Sequence, residues 1–449
     1  MTPHLEAGSR RARPPTATVG LLIGLSAATP AVMPVVAALP VRPWHIFVIG
    51  AFLIANLYKI RVDRSALWRL GFLDAAVLLF ACLTILVELV NTGTLGYRLD
   101  YMSLARPLFW LAIFRTVRFV VDTKDDARRL LTWFALPVLP SVLLGFGQVL
   151  GIEAVQQAIL RATSDSSGFA ARLEDGRLLR ATGFVQHWTS FGSYLCTVAA
   201  ACVALLVLAR AQSVGKQGIA WLLLAATAFG VITTFTLSSI LTVLLIFLLC
   251  SHTARSTGKL VPLLLVVGFV GMAVLGPLFA VRMEQQFSAT HNESGIVPST
   301  LQYRYRIWTT ETIPMIKERP VTGWGSNVYE ITLGRAEPRR IYPSQLSWHS
   351  PESQWLNLLM NHGAIGLAAF LLVLTNIVLL LRKASRLGQS WVARPTGILF
   401  TLMVVAAFTA PVFMNHGLPV GLWTLLGMVS VFAHQRRADA DATMQRQTP

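Results

Sequence analysis

The chain has 449 residues, 54% of them hydrophobic and 13% charged, with a net charge of +17. Apolar stretches of about 20 residues recur throughout, which excludes an ordinary soluble enzyme and marks an all-α polytopic membrane protein. The basic excess does not point to nucleic acid, because lysine and arginine collect in short loops between the apolar stretches.

In chain order, residues 1–16 (MTPHLEAGSRRARPPT) form a polar, basic N-terminal tail. The apolar stretch that follows lacks a small-residue cleavage site and reads as a retained first helix. Nine spans are expected within 17–281, near 17–39, 43–60, 72–90, 101–121, 130–152, 185–209, 218–235, 237–251 and 260–281. Three more fall within 353–433, near 353–381, 395–414 and 417–433, ahead of a polar tail over 434–449. That makes about 12 membrane helices. The four cysteines, Cys82, Cys196, Cys202 and Cys250, all lie in apolar segments without metal-ligand spacing, and no disulfide is expected.

Most of the lysines and arginines fall on one side of this arrangement. They occupy the N-terminus, the 59–69 and 115–129 loops, the connections at 210–216 and 255–259, the 382–394 loop and the C-terminal tail. The positive-inside rule places that side, with both termini, in the cytoplasm. Two long segments lie on the opposite side, near 153–184 and over 282–352. Structureless connections of this length are uncommon unless they are functional. Both are rich in arginine: Arg161, Arg172, Arg177 and Arg180 in the first, and Arg282, Arg304, Arg306, Arg319, Arg335, Arg339 and Arg340 in the second. Arginine is the residue suited to bidentate phosphate recognition. Pairing with the loops' own acids or with lipid headgroups is the alternative.

Three stretches carry candidate chemistry. In LLRATGFVQHWTSFGSYL (178–195), Arg180 stands just before a glycine turn and a helix start, with His187 and Trp188 close behind. In LQYRYRIWTTETIPMIKERPVTGWGSN (301–327), residues 302–313 have helical spacing that sets Arg304 and Trp308 one turn apart, and the helix should end near Glu318–Pro320. GWGSN then makes a tight turn whose amides could approach a ligand. In WHSPESQWLNLLMNHG (348–363), Ser350 reads as an N-cap, Pro351 as the first helical residue and Glu352 as a first-turn acid. His349 and Glu352 are then candidates to take a proton, or simply helix punctuation. Glu88 and Arg106, near the outer ends of the third and fourth spans, are placed to pair, either structurally or in function.

Taken together these stretches resemble the bacterial O-antigen ligase / O-antigen polymerase superfamily, over roughly residues 180–380. The resemblance rests on R-x-x-G-F followed by HWT at 180–189, R-x-x-x-W at 304–308 followed by ERPVTGWG at 318–325, TFTLSSILTVLL, and ESQWLNLLMNHGAIG at 352–366. It implies a GT-C-like bundle whose large periplasmic loop carries short helices, in the bacterial inner membrane with its active site facing the periplasm. The implied reaction moves a glycan from an undecaprenyl-diphosphate-linked oligosaccharide to an acceptor hydroxyl on another lipid-linked glycan (a surface-polysaccharide polymerase) or on lipid A-core or protein (a ligase). A lipid-linked sugar transporter is the alternative of another class. Arg180 and Arg304, with Arg306 as helper, would contact the diphosphate, and His187 and Trp308 would support them. The family's histidine falls at Glu352, so either Glu352 substitutes for it or His349 reaches in from one turn earlier. No cofactor or metal is expected, the arginines supplying the positive charge.

Overall fold

The computed structural model describes residues 13–32, 41–95, 101–163, 172–173, 179–185, 187–209, 214–254, 257–287, 299–326, 350–413 and 418–447. Among them there is no β-strand, only one isolated bridge between Val32 and Thr163. The first half of the chain forms helices α1 (Thr16–Ala28), α2 (Pro43–Asp63), α3 (Phe72–Leu95), α4 (Tyr101–Val120), α5 (Lys124–Ala135), α6 (Val138–Val149) and α7 (Glu153–Ala162). The second half forms α8 (Trp188–Ala209), α9 (Val214–Thr233), α10 (Leu237–Ala254), α11 (Thr257–Phe287), α12 (Ser299–Ile307), α13 (Ile313–Glu318), α14 (Gln354–Arg386), α15 (Ser390–Ala406) and α16 (Leu418–Gln447).

The protein is a membrane protein. Five segments are long and apolar enough to cross a bilayer: α2, α3, the pair α5–α6, α8 and α14. Shorter apolar helices accompany them at Thr16–Ala28, Gln217–Thr233, Leu237–Cys250, Ser390–Ala406 and Pro419–His434. The stretch expected to span 130–152 is two helices, because the chain turns at Leu136–Pro137. The first of them starts at Lys124, directly after Thr123, which shares a capping box with Asp126.

Helix α8 is the core of the bundle and packs against α1, α5, α9, α10, α15 and α16. Its small, apolar stretch from Thr197 to Ala204 lets neighbours approach closely, as at Gly421 of α16, where a Cβ would lie 2.3 Å from Thr197 Oγ1. The α1–α5 contact uses the same device: Cβ atoms on Gly20 or Gly24 would meet the carbonyl oxygens of Leu130 and Phe134 at 2.5 and 2.4 Å. A ring stack through Phe80, Trp110 and Trp423 ties α3, α4 and α16 together.

The two ends of the bundle differ in chemistry. One end holds Asp74, fully buried, with Arg118 Nη1 at 2.7 Å and Arg115 donating to the Leu67 carbonyl. Following α3 and α4 to their other ends leads to Glu88 and Arg106, and following α1 leads to Ala31, whose N–H donates to the Phe184 carbonyl at 3.1 Å. The arginine-bearing segments and the start of α14 therefore share the second end.

The start of α14 differs from the sequence expectation. Its N-cap is Ser353, not Ser350, and the helix begins at Gln354. Glu352 sits outside it at φ 51°, a left-handed conformation, with its N–H donating to Ser350 Oγ at 3.1 Å. The Gln354 N–H is taken by the Ala407 carbonyl at 2.9 Å, so α15 fixes where α14 starts. His349 lies outside the described residues.

Candidate functional site

The helix expected over 302–313 forms as the spacing predicts. Helix α12 is followed by a π-turn over Trp308–Thr312 and by α13, which ends at Glu318. Arg304 and Trp308, one turn apart, both face residues 351–352. The Trp308 Nε1–H donates to the Pro351 carbonyl at 2.5 Å, and Arg304 Nη2 donates to Glu352 Oε2 at 3.3 Å. Arg304 Nε is buried without a hydrogen-bond partner among the described residues. Arg306 is exposed.

The turn after α13 does not offer its amides to a ligand, as GWGSN had suggested. It docks instead into a break in α14. Gly363 adopts φ 61° and ψ −161°, interrupting the helix and freeing backbone groups on both sides. The Trp324 and Gly325 N–H groups donate to the Met360 and Asn361 carbonyls, each at 2.8 Å. In return, the Ala364 and Ile365 N–H groups donate to the Pro320 and Val321 carbonyls at 2.8 and 3.3 Å. Only glycine fits at 363: a Cβ there would lie 2.2 Å from the Val321 carbonyl oxygen, and the positive φ excludes it independently. Asn91 Nδ2 of α3 donates to the Thr322 carbonyl at 3.2 Å and secures the turn from a third side.

The next N–H of the turn reaches into the bundle. Ser326 donates through both N and Oγ to Glu88 Oε1, each at 2.5 Å, and His362 Nδ1 lies 3.8 Å from the same oxygen. Glu88 and His362 are both buried. Beside them is a cavity of about 120 Å³ between α3, α4 and α14, lined by Thr84, Arg106, Trp110, Ser326, Gln354, Asn357, Asn361 and His362 among others. Glu88 and Arg106, singled out as neighbours in the sequence, thus flank one polar cavity. Glu352 lies two residues before Gln354, so the Arg304–Glu352 pair stands within about 7 Å of the cavity wall along the backbone.

Arg180 occupies a second cluster. It is buried in the corner where α9 meets α10. Its Nε donates to the Thr234 carbonyl at 2.9 Å, and its Nη2 donates to the Phe235 carbonyl at 3.1 Å and to Thr236 Oγ1 at 2.8 Å. Among the described residues none of its hydrogen-bond partners is a carboxylate. Its guanidinium carbon stands 4.5 Å from the Trp188 ring centroid, and that of Arg172 stands 4.4 Å from the same ring. Burial, then Arg282 and then Arg172, lower the Arg180 pKa. Guanidinium stays charged in proteins, and Arg282 and Arg172 bring further positive charge near this buried one. An anion would relieve it.

His187 caps the start of α8. Its Nδ1 is 2.7 Å from Thr189 Oγ1 and accepts from the Thr189 N–H at 3.3 Å, at the start of α8. Burial, then Arg180 and Arg172, pull its pKa down to about 3, so the imidazole is neutral. Arg180 and Arg304 do not touch. The element between them is α11, which carries Arg282 and packs against α12.

Residues 219–371 match the family model described as O-antigen ligase. Over that stretch the chain is similar to O-antigen ligases. The matched stretch begins within α9 and ends within α14, so it holds Arg304, Glu352, His362 and both halves of the Gly363 docking. Arg180, His187, Glu88 and Arg106 lie upstream of it, although the resemblance read from the sequence began at 180. Comparison with curated proteins gives no match.

Sequence reasoning missed His362, Asn361 and Ser326. His362 and Glu88 are far apart in the chain, and only the packing of α14 on α3 joins them. The one available signal was NHG (361–363), two polar residues beside a glycine in the middle of an apolar helix.

Proposed function

We propose that the protein is a membrane glycosyltransferase that moves a glycan from a polyprenyl-diphosphate carrier to an acceptor hydroxyl, as a surface-polysaccharide polymerase. The carrying observation is the set of guanidinium groups at one end of the bundle: Arg180 with Arg172 and Arg282, and Arg304 beside Glu352. A diphosphate leaving group gains charge as the bond to the sugar breaks. Fixed cations aimed at it stabilise the transition state without reorganisation. These arginines would do that work without a divalent ion.

On this reading the site faces the periplasm, the protein lies in the bacterial inner membrane with about 12 crossings and both termini in the cytoplasm, and 282–352 is the external loop. Glu352 serves mainly to orient Arg304, whose Nη2 lies 3.3 Å from its Oε2. The departure from the family's histidine at Glu352 favours the polymerase, and the description of the matching family favours a ligase acting on lipid A-core.

The test is a reconstituted reaction with purified full-length protein and lipid-linked oligosaccharide. Longer lipid-linked chains support the polymerase, and glycan on added lipid A-core supports the ligase. Vesicle transport of the lipid-linked sugar with no covalent product would replace both readings by a transporter.

A further inference from the structure

The cavity between α3, α4 and α14 is polar in an unusual way. Three side chains on its wall are more than nine-tenths buried and carry an atom without a hydrogen-bond partner among the described residues: Gln354 Oε1, Asn361 Oδ1 and His362 Nδ1. Leaving a buried polar atom unsatisfied costs about 1–3 kcal/mol; His362 Nδ1 stands on the Glu88 side, which leaves Gln354 Oε1 and Asn361 Oδ1 as acceptors suited to a hydroxyl-bearing ligand. The lining also includes the aromatic rings of Phe80, Trp110 and Phe370, the first two stacked at 6.3 Å. A pyranose has that dual character: C–H faces that pack on aromatic rings and a rim of hydroxyls that need amide and imidazole partners.

From this geometry we propose that the cavity binds the acceptor's terminal sugar ring and that His362 takes the proton of the attacking hydroxyl. The proposal rests on the transferase reading above and adds to it the acceptor subsite and the proton's destination. Glu88 stands on the Nδ1 side of the ring, 3.8 Å away, and is itself fixed by two bonds from Ser326. With Nδ1 protonated toward Glu88, the Nε2 lone pair is the free base. In the step itself, the acceptor oxygen forms a bond to the donor's anomeric carbon. The bond from that carbon to the diphosphate oxygen breaks, and its electron pair leaves with the diphosphate. The hydroxyl proton passes to Nε2, and the Glu88 carboxylate offsets the imidazolium charge. Gln354 and Asn361 hold the ring through its other hydroxyls. The break at Gly363 serves this arrangement, since it lets the turn carrying Ser326 reach Glu88 from outside the bundle.

The experiment uses full-length protein in nanodiscs, with transfer followed at saturating lipid-linked donor while the acceptor is varied. Undecaprenyl diphosphate binding is measured separately on the same samples. His362→Gln should lower kcat at least 100-fold and leave the undecaprenyl diphosphate Kd within about twofold, as general-base loss requires. Gln354→Met, which keeps the side-chain volume, should raise the acceptor KM about tenfold with kcat little changed. It carries the test if His362→Gln does not fold. Wild-type kinetics in the variants would mean that ordered water fills the cavity, and would overturn the proposal. Loss of undecaprenyl diphosphate binding would assign the cavity to the donor and overturn it equally. A wild-type protein that transfers glycan to neither acceptor would remove the transferase reading itself, and this proposal with it.

Discussion

Arg304 and Arg180 were both legible in the sequence as candidate diphosphate contacts, but the structure gives them different attachments. Arg304 is about one-quarter exposed and is held by a single carboxylate of similar exposure. Replacing Arg304 by alanine should lower turnover about 100-fold, the usual cost of deleting one transition-state donor, with little change in melting temperature. Glu352→Gln keeps a hydrogen-bond acceptor for Arg304 and should cost less than tenfold. Initial rates of both variants check this, and equal losses would make Glu352 the base. Arg180 is also a structural clamp on the Thr234–Thr236 corner, which its place before a glycine turn did not reveal. Arg180→Ala would remove the donors held by the buried Thr234 and Phe235 carbonyls, leaving Thr234 only its bond from Thr236 Oγ1, and should lower stability by about 1–3 kcal/mol. A purely ligand-binding arginine would be silent in thermal unfolding of the unliganded protein. In the wild type, undecaprenyl diphosphate at 100 times its Kd should add about 2.7 kcal/mol, and Arg180→Ala should lose most of that gain.

At the scale of elements, periodicity located the helices well, because 3.6-residue spacing and apolar length are local properties. The external helix over 302–313 and its end near Glu318 are both found, with a π-turn inserted at Trp308–Thr312. The start of α14 was misread for a physical reason. Ser350, Pro351 and Glu352 have the right local chemistry for a helix start, but the Ala407 carbonyl captures the Gln354 N–H and moves the start to Ser353–Gln354. The break at Gly363 was hidden likewise, since a glycine inside an apolar helix usually marks only close packing. Gly363→Ala tests it directly: backbone strain alone costs about 1–3 kcal/mol, and the clash with Val321 adds to that. The melting temperature should fall accordingly, and transfer activity should be lost even at temperatures where the protein remains folded. Gly93→Ala, at a position with nothing within 4 Å of the added Cβ, should leave both unchanged.

At the scale of the molecule, the charge pattern gave an orientation before any contact was known. The structure sets Asp74, Arg118 and Arg115 at one end of the bundle and Arg180 and Arg304 at the other, and which end faces the cytoplasm is a prediction of the charge pattern. The orientation is tested with single cysteines in a cysteine-free background. Tyr305→Cys, on the exposed side of α12, should react with a membrane-impermeant maleimide in intact spheroplasts. Gly388→Cys should react only after lysis, and the reverse pattern would invert the topology. What the sequence could not supply was the assembly of the cavity. It draws on α3, α4, Ser326 and α14, and no local pattern connects Glu88 to His362 or Thr84 to Asn357.

The docking of residues 320–325 into α14 makes two distant stretches of chain share one set of peptide groups. A change as mild as a repacked Val321 is transmitted through the backbone to the residues flanking Gly363, although its side chain never enters the cavity. On the proposed function, changing residues 320–325 to suit a new glycan would also reset the backbone flanking Gly363. Chimeras that swap the outer segment alone should fail unless residues 360–365 travel with it.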